Sequence, residues 1–155
     1  MQTIKIFIQS QIAGPRKATA KYGYVIESHT AGGIRTLVEI GCLKDASANR
    51  LTAAAAARAL ARTRPGDRIT IITDNAQLKA AIERGWVENW HDAGWINSKG
   101  KPVANADIWK LILAGTEGKE IRIDLQEGNE YREWLAGEMG KVEILPGHSK
   151  IIPPE

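Results

Sequence analysis

Asp74 closes a short β-branched run, Ile69-Thr-Ile-Ile-Thr-Asp-Asn75. A carboxylate at such a point has two uses: as a hard oxygen ligand for a divalent cation, or as the N-cap of a helix over residues 75 to 84. The local sequence by itself favours the cap. Beyond it stand Trp86-Val-Glu-Asn-Trp-His-Asp-Ala-Gly-Trp95 and then Lys101-Pro-Val-Ala-Asn-Ala-Asp-Ile-Trp109. Trp86 and Trp90 share one helical face at their spacing, which most simply makes them packing anchors. His29 and His148 have no partner at zinc-ligand spacing and read as surface residues. The single Cys42 sits in an apolar segment, reads as a buried, inert thiol and leaves no internal disulfide to form.

The elements that position these residues follow from periodicity. Residues 3 to 9, 22 to 28 and 34 to 42 read as strands, broken at Ala13-Gly14-Pro15 and at Gly32-Gly33, and their short connections predict an antiparallel meander. An alanine-dominated helix over 49 to 64 comes next, with Asp45 or Ser47 as its N-cap and Pro65-Gly66 as its stop; so thin a helix can approach a sheet closely. Residues 68 to 73 form a buried strand. A helix over 76 to 84 follows, with Leu78 and Ile82 on one face. Then come a short helix within 86 to 95, a helix over 104 to 114, a fifth strand over 120 to 125 and a closing helix over 130 to 139. This order predicts an α/β fold, a five-stranded mixed sheet flanked by helices. One domain over 1 to 140 accounts for it, with an extension over 141 to 155 that adds one apolar stretch, Val142 to Leu145.

Composition bounds the rest. Apolar residues at 43% and charged residues at 25% are ordinary for a globular domain, which excludes a disordered chain. No apolar run approaches membrane-spanning length and no leader precedes the first strand, so a cytoplasmic protein without a membrane partner is expected. A net charge of +3, spread along the chain, permits polyanion binding without demonstrating it.

The run from Ile69 to Trp109, with its strand ending in Asp74, its tryptophans and its Lys-Pro-Val-x-Asn-x-Asp-x-Trp phrase, resembles the central third of a type 1 ribonuclease H. The resemblance extends over about residues 2 to 139 and implies the ribonuclease H-like fold. In that family four carboxylates hold two divalent cations, Mg²⁺ or Mn²⁺, that cut the RNA strand of an RNA/DNA hybrid. Carried onto this chain, the first position falls on Gln9, in Ile6-Phe-Ile-Gln-Ser-Gln11, and the second on Thr52, in Asn49-Arg-Leu-Thr-Ala-Ala-Ala55. The third is Asp74. The fourth is Glu133, in Arg132-Glu-Trp-Leu-Ala136, after a loop shortened to Gln126-Glu-Gly128; Gly147-His148 resembles the missing part of that loop but follows the last helix. Asp74 and Glu133 are thus the remnant catalytic and metal-binding pair. Glu39 and Asp45 are not placed to compensate and read as solvated surface charge.

The resemblance also implies a nucleic-acid groove. Asn49 matches a backbone contact, Ser47 and Asn89 the phosphate-holding pair, and Trp86 and Trp90 the aromatic side of the DNA channel. The protrusion over 91 to 103 carries Lys99 and Lys101 as its cations, with Asp92 opposing them, so its phosphate contacts should be few and salt-sensitive. Loss of two formal charges weakens a site for two dications by several kcal/mol. The expected protein is a ribonuclease H-like pseudoenzyme with no tightly bound metal and a surviving groove for RNA/DNA hybrid or double-stranded RNA. Two alternatives stand beside it: a weak, Mn²⁺-favoured ribonuclease working through Asp74 and Glu133, and a protein-interaction module or homodimer in which Val142 to Leu145 adds an edge strand.

Overall fold

A computed structural model describes residues 2–153; Pro154 and Glu155, at the end of the expected extension, lie outside the described residues. The chain begins with the predicted meander: β1 (Thr3–Ser10), β2 (Ala18–Thr30) and β3 (Gly33–Ala46). β2 and β3 run beyond their expected ends, with a register shift between Ala18 and Ala20. Helix α1 (Ala48–Leu60) then crosses to β4 (Arg68–Thr73), and α2 (Ala76–Glu83), α3 (Trp86–Asp92) and α4 (Ala106–Thr116) lead to β5 (Glu120–Leu125). Helix α5 (Arg132–Lys141) and a last strand, β6 (Ser149–Ile152), complete the chain. The sheet has six strands in the order β5-β4-β1-β2-β3-β6. β1, β4 and β5 are mutually parallel, and β2, β3 and β6 join antiparallel.

The sixth strand corrects the five-strand expectation. Val142 to Leu145, an edge strand for a second copy in one of the alternatives, is not a strand: Val142 and Ile144 pack half-buried against the core that α5 covers. The chain turns at Pro146-Gly147, and Ser149–Ile152 covers the edge of its own β3, with Val38 opposite Ile152 and Gly41 opposite Ser149. An unpaired edge is a template for aggregation, and a short strand that stops at Ile152, before Pro153, blunts it.

Two cores sit on the two faces of the sheet. On one, α1 lays down Leu51, Ala53 to Ala57, Ala59 and Leu60, all buried, against Ile4, Ile6, Ile8, Tyr24 and Ile71. Alanine stems let α4 come close as well, and Gly115 is required there, because a Cβ would meet the Leu60 side chain at 2.9 Å. Trp109, 1% exposed, fills the centre and takes Trp90 against its ring at 5.7 Å. On the other face Leu135 and Met139 of α5 cover Phe7, Val25, Val38, Ile40 and Ile72. The Lys21 ammonium donates to the carbonyls of Met139 and Val142 and closes the C-terminal end of α5.

Glu39 was expected at the surface and is instead 2% exposed. Arg58 donates to both of its carboxylate oxygens, at 3.2 and 2.7 Å, and Ser149 of β6 donates at 2.7 Å. The hydroxyl of Tyr24 donates to it as well, and Arg62 donates to Tyr24 at 2.7 Å. Burial on its own would raise the Glu39 carboxyl; the donors from Arg58, Tyr24 and Ser149 outweigh it and hold the group down at about 2. Asp45 remains exposed, at positive φ, and Ser47 caps α1 by accepting from the Arg50 amide.

Candidate nucleic-acid cleft

Where β1 and β4 end beside the N-terminus of α1, the surface opens into a cleft of about 470 Å³. Gln9 and Ser10 of β1, the loop from Gln11 to Pro15, Ser47, Asn49 and Thr52 of α1, Asp74 and Asn75 after β4, and Arg132 of α5 line it. The positions that sequence assigned to the first three carboxylates, Gln9, Thr52 and Asp74, are therefore gathered in one place. Asn75, not Asp74, caps α2: its side chain accepts from the Leu78 amide at 2.9 Å, and its amide donates to the Asn49 side chain at 2.7 Å. Asp74 is exposed and, among the described residues, no side-chain hydrogen bond holds it, so the capping role that its local sequence favoured belongs to its neighbour.

The fourth position differs. Leu135 and Met139 anchor one face of α5 to the sheet, and Arg132 lies three and seven residues before them, on that same face. Its guanidinium donates at 2.6 Å to the carbonyl of Glu127 in the shortened β5–α5 loop. Glu133, about 100° further round the helix, is exposed and is not part of the cleft lining. Arg132 is the residue that sequence reasoning passed over, and the apolar spacing of Leu135 and Met139 was the signal that could have found it. Gly147-His148 lies elsewhere, hydrogen-bonded through its backbone to Cys42 beside β6, and Arg132 of α5 completes the cleft lining.

The donors in the cleft are one carboxylate, amides, hydroxyls and a guanidinium. Mg²⁺ and Mn²⁺ require anionic oxygens, and a guanidinium in the same space opposes a dication. The set does not fit the family's pair of cations, and among the described residues no group of three or more His, Cys, Asp or Glu side chains is placed to hold a metal.

The remaining groove residues lie along α1, α3 and the loop after it. Ser47 spends its hydroxyl on the α1 cap, while Asn49 is exposed at the rim. Trp86 is 36% exposed and lies 6.2 Å from Trp90, which is itself half-buried against Trp109. Trp90 thus joins the core to the surface, and Trp86 offers the free ring. Asn89 is exposed on α3, outside the cleft lining. The protrusion is held by a bridge between Ile96 and Pro102 and by the Asn97 side chain, which accepts from the amides of Lys99 and Lys101. Both lysine side chains are exposed, and Lys110 adds a third cation, 5.5 Å above the Trp95 ring. At the other side Arg50 makes a two-pronged bond to Asp107, at 3.0 and 2.9 Å, and ties α1 to α4.

Comparison with known proteins bears on the family and the fold. Residues 9–128 match the family model for RNase H. The chain is 34% identical over 125 residues to the ribonuclease H of Dinoroseobacter shibae, a match that covers 74% of this chain and 78% of that one. It is 36% identical over 69 residues to the ribonuclease H of Syntrophomonas wolfei, covering 44% of this chain and about half, 47%, of that protein's length. Among solved structures, LC9-RNase H1, a type 1 RNase H with the type 2 active-site motif, superposes with a TM-score of 0.69 over 90% of this chain and 74% of its own, at 20% identity. A family-model match over residues 9–128 and a relative 34% identical over most of both chains have one origin: the chain belongs to the ribonuclease H family.

Proposed function

We propose that the protein is a ribonuclease H-family domain that holds RNA/DNA hybrid without cutting it. The observation that carries the reading is the lining of the cleft, where Asp74 is the sole carboxylate and Arg132 shares the space with it. Family members use Mg²⁺ or Mn²⁺, and hydrolysis by that route needs the anionic ligands that Gln9 and Thr52 no longer provide. Binding makes no such demand. It requires donors for phosphates and a ring for the sugar-base edge of the minor groove, and Asn49, Trp86, Asn89, Lys99 and Lys101 are exposed to supply them.

The test is a labelled RNA/DNA hybrid incubated with the protein in Mg²⁺ and in Mn²⁺, run on native and on denaturing gels. The expected result is a salt-sensitive shift with intact RNA. RNA fragments that vanish in Asp74→Asn would establish a residual one-metal nuclease and remove the proposal. Absence of any shift at low salt would remove hybrid as the ligand.

A further inference from the structure

The features that make the cleft poor for cations suit it to anions. Arg132 is exposed and hydrogen-bonded through one nitrogen to the Glu127 carbonyl, which fixes the guanidinium and leaves its other donors for a ligand. Thr52 is a polar side chain only 2% exposed that lines the cleft, and among the described residues its hydroxyl has no hydrogen-bond partner and is not sealed from solvent. The third donor group is the start of α1. Ser47 takes the Arg50 amide with its hydroxyl and the Leu51 amide with its carbonyl, which leaves the amides of Ala48 and Asn49 at the positive end of a 13-residue helix. Arg16 and Lys17 stand exposed just beyond the rim residue Pro15. Asp74 is the opposing charge.

We propose that this cleft is a metal-independent phosphate site, in which Arg132, the Thr52 hydroxyl and the first amides of α1 grip a backbone phosphate of the bound nucleic acid directly. The proposal rests on the hybrid-binding reading for its ligand, but the anion site exists whatever strand brings the phosphate. It inverts the expected role of Asp74. In a metal site this carboxylate supports phosphate binding through a bridging cation, whereas here it repels the ligand and limits affinity.

The test uses the full chain in EDTA, titrated first with inorganic phosphate and followed by amide and guanidinium NMR shifts, then with a short RNA/DNA hybrid. Phosphate should perturb Ala48, Asn49, Thr52 and the Arg132 side chain without added metal. Arg132→Gln should weaken phosphate roughly tenfold and lower the salt slope of hybrid binding by about one. Asp74→Asn should tighten phosphate about fivefold, a gain that damage to the fold would not produce. Phosphate binding that needs Mg²⁺, or that weakens in Asp74→Asn, would overturn the proposal. So would hybrid binding unchanged in Arg132→Gln, which leaves the hybrid-binding reading standing. Phosphate shifts at these residues without hybrid binding would sustain the site and sink that reading instead.

Discussion

Two carboxylates, Glu39 and Asp74, occupy opposite situations in one sheet. Glu39 is sealed beneath α1 and β6 and takes hydrogen bonds from Arg58, Tyr24 and Ser149. Asp74 is exposed at the end of β4 with, among the described residues, no hydrogen-bond donor to its side chain, and with Arg132 in the same cleft. A buried charge must be satisfied by the fold or the fold fails, so Glu39 is bound to structure. An open charge is free to act on whatever enters. Sequence read Glu39 as solvated surface charge and Asp74 as a cap on local pattern alone, with only the family resemblance making Asp74 a site residue.

The contrast is most exposed to refutation at Glu39. Glu39→Ala strands the Tyr24 hydroxyl and two arginines, and urea unfolding should show a loss of about 2–3 kcal/mol, reduced from the full cost of a broken buried pair because Arg58 and Arg62 are partly exposed. A loss below about 0.5 kcal/mol would mean that the network contributes nothing net.

Acid titration reads the same network in the intact protein. The Glu39 carboxyl lies at about 2 when folded against an ordinary 4.5, so the unfolded chain binds more protons between these values. Stability from this group is therefore complete above about pH 4.5 and is lost as pH falls toward 2, by on the order of 2–3 kcal/mol. Denaturant midpoints measured from pH 6 to pH 2 should show that slope, and Glu39→Gln should flatten it.

Ser149→Ala removes one donor to Glu39 and one acceptor for Arg58, and should cost about 1 kcal/mol. Faster amide exchange along the outer edge of β3 would accompany it, because β6 is held there by four paired residues. Unchanged exchange would separate the strand from the network. The smallest effect belongs to Asp74→Asn, which should alter thermal stability by no more than about 0.5 kcal/mol. A larger loss would give Asp74 a structural role and erase its contrast with Glu39.

Much of the fold was legible because periodicity reports burial. The three-strand meander, the alanine helix, the β-branched strand before Asp74 and the order of the later helices all appear, although β2 and β3 run past their expected ends and α1 stops at Leu60 rather than near residue 64. Misreadings cluster where a local pattern has two tertiary outcomes. Val142 to Ile144 alternates like a strand but spends its apolar side under α5, and Ser149–Ile152, with little pattern of its own, finds the open edge of β3. Asp74 and Asn75 are both good caps, and the one-residue choice between them depends on where β4 stops.

The sequence alone determined the element types, the family resemblance and the lack of charge at the positions that the resemblance assigns to metal ligands, because Gln9 and Thr52 carry no charge in any fold. Tertiary structure decided which charges are buried and which face the cleft. Glu39 meets Arg58 and Ser149 across long stretches of chain, and no local pattern encodes that meeting. Arg132 rather than Glu133 enters the cleft because Leu135 and Met139 set the rotation of α5 against the sheet, and a helix turned through one residue exchanges a cation for an anion.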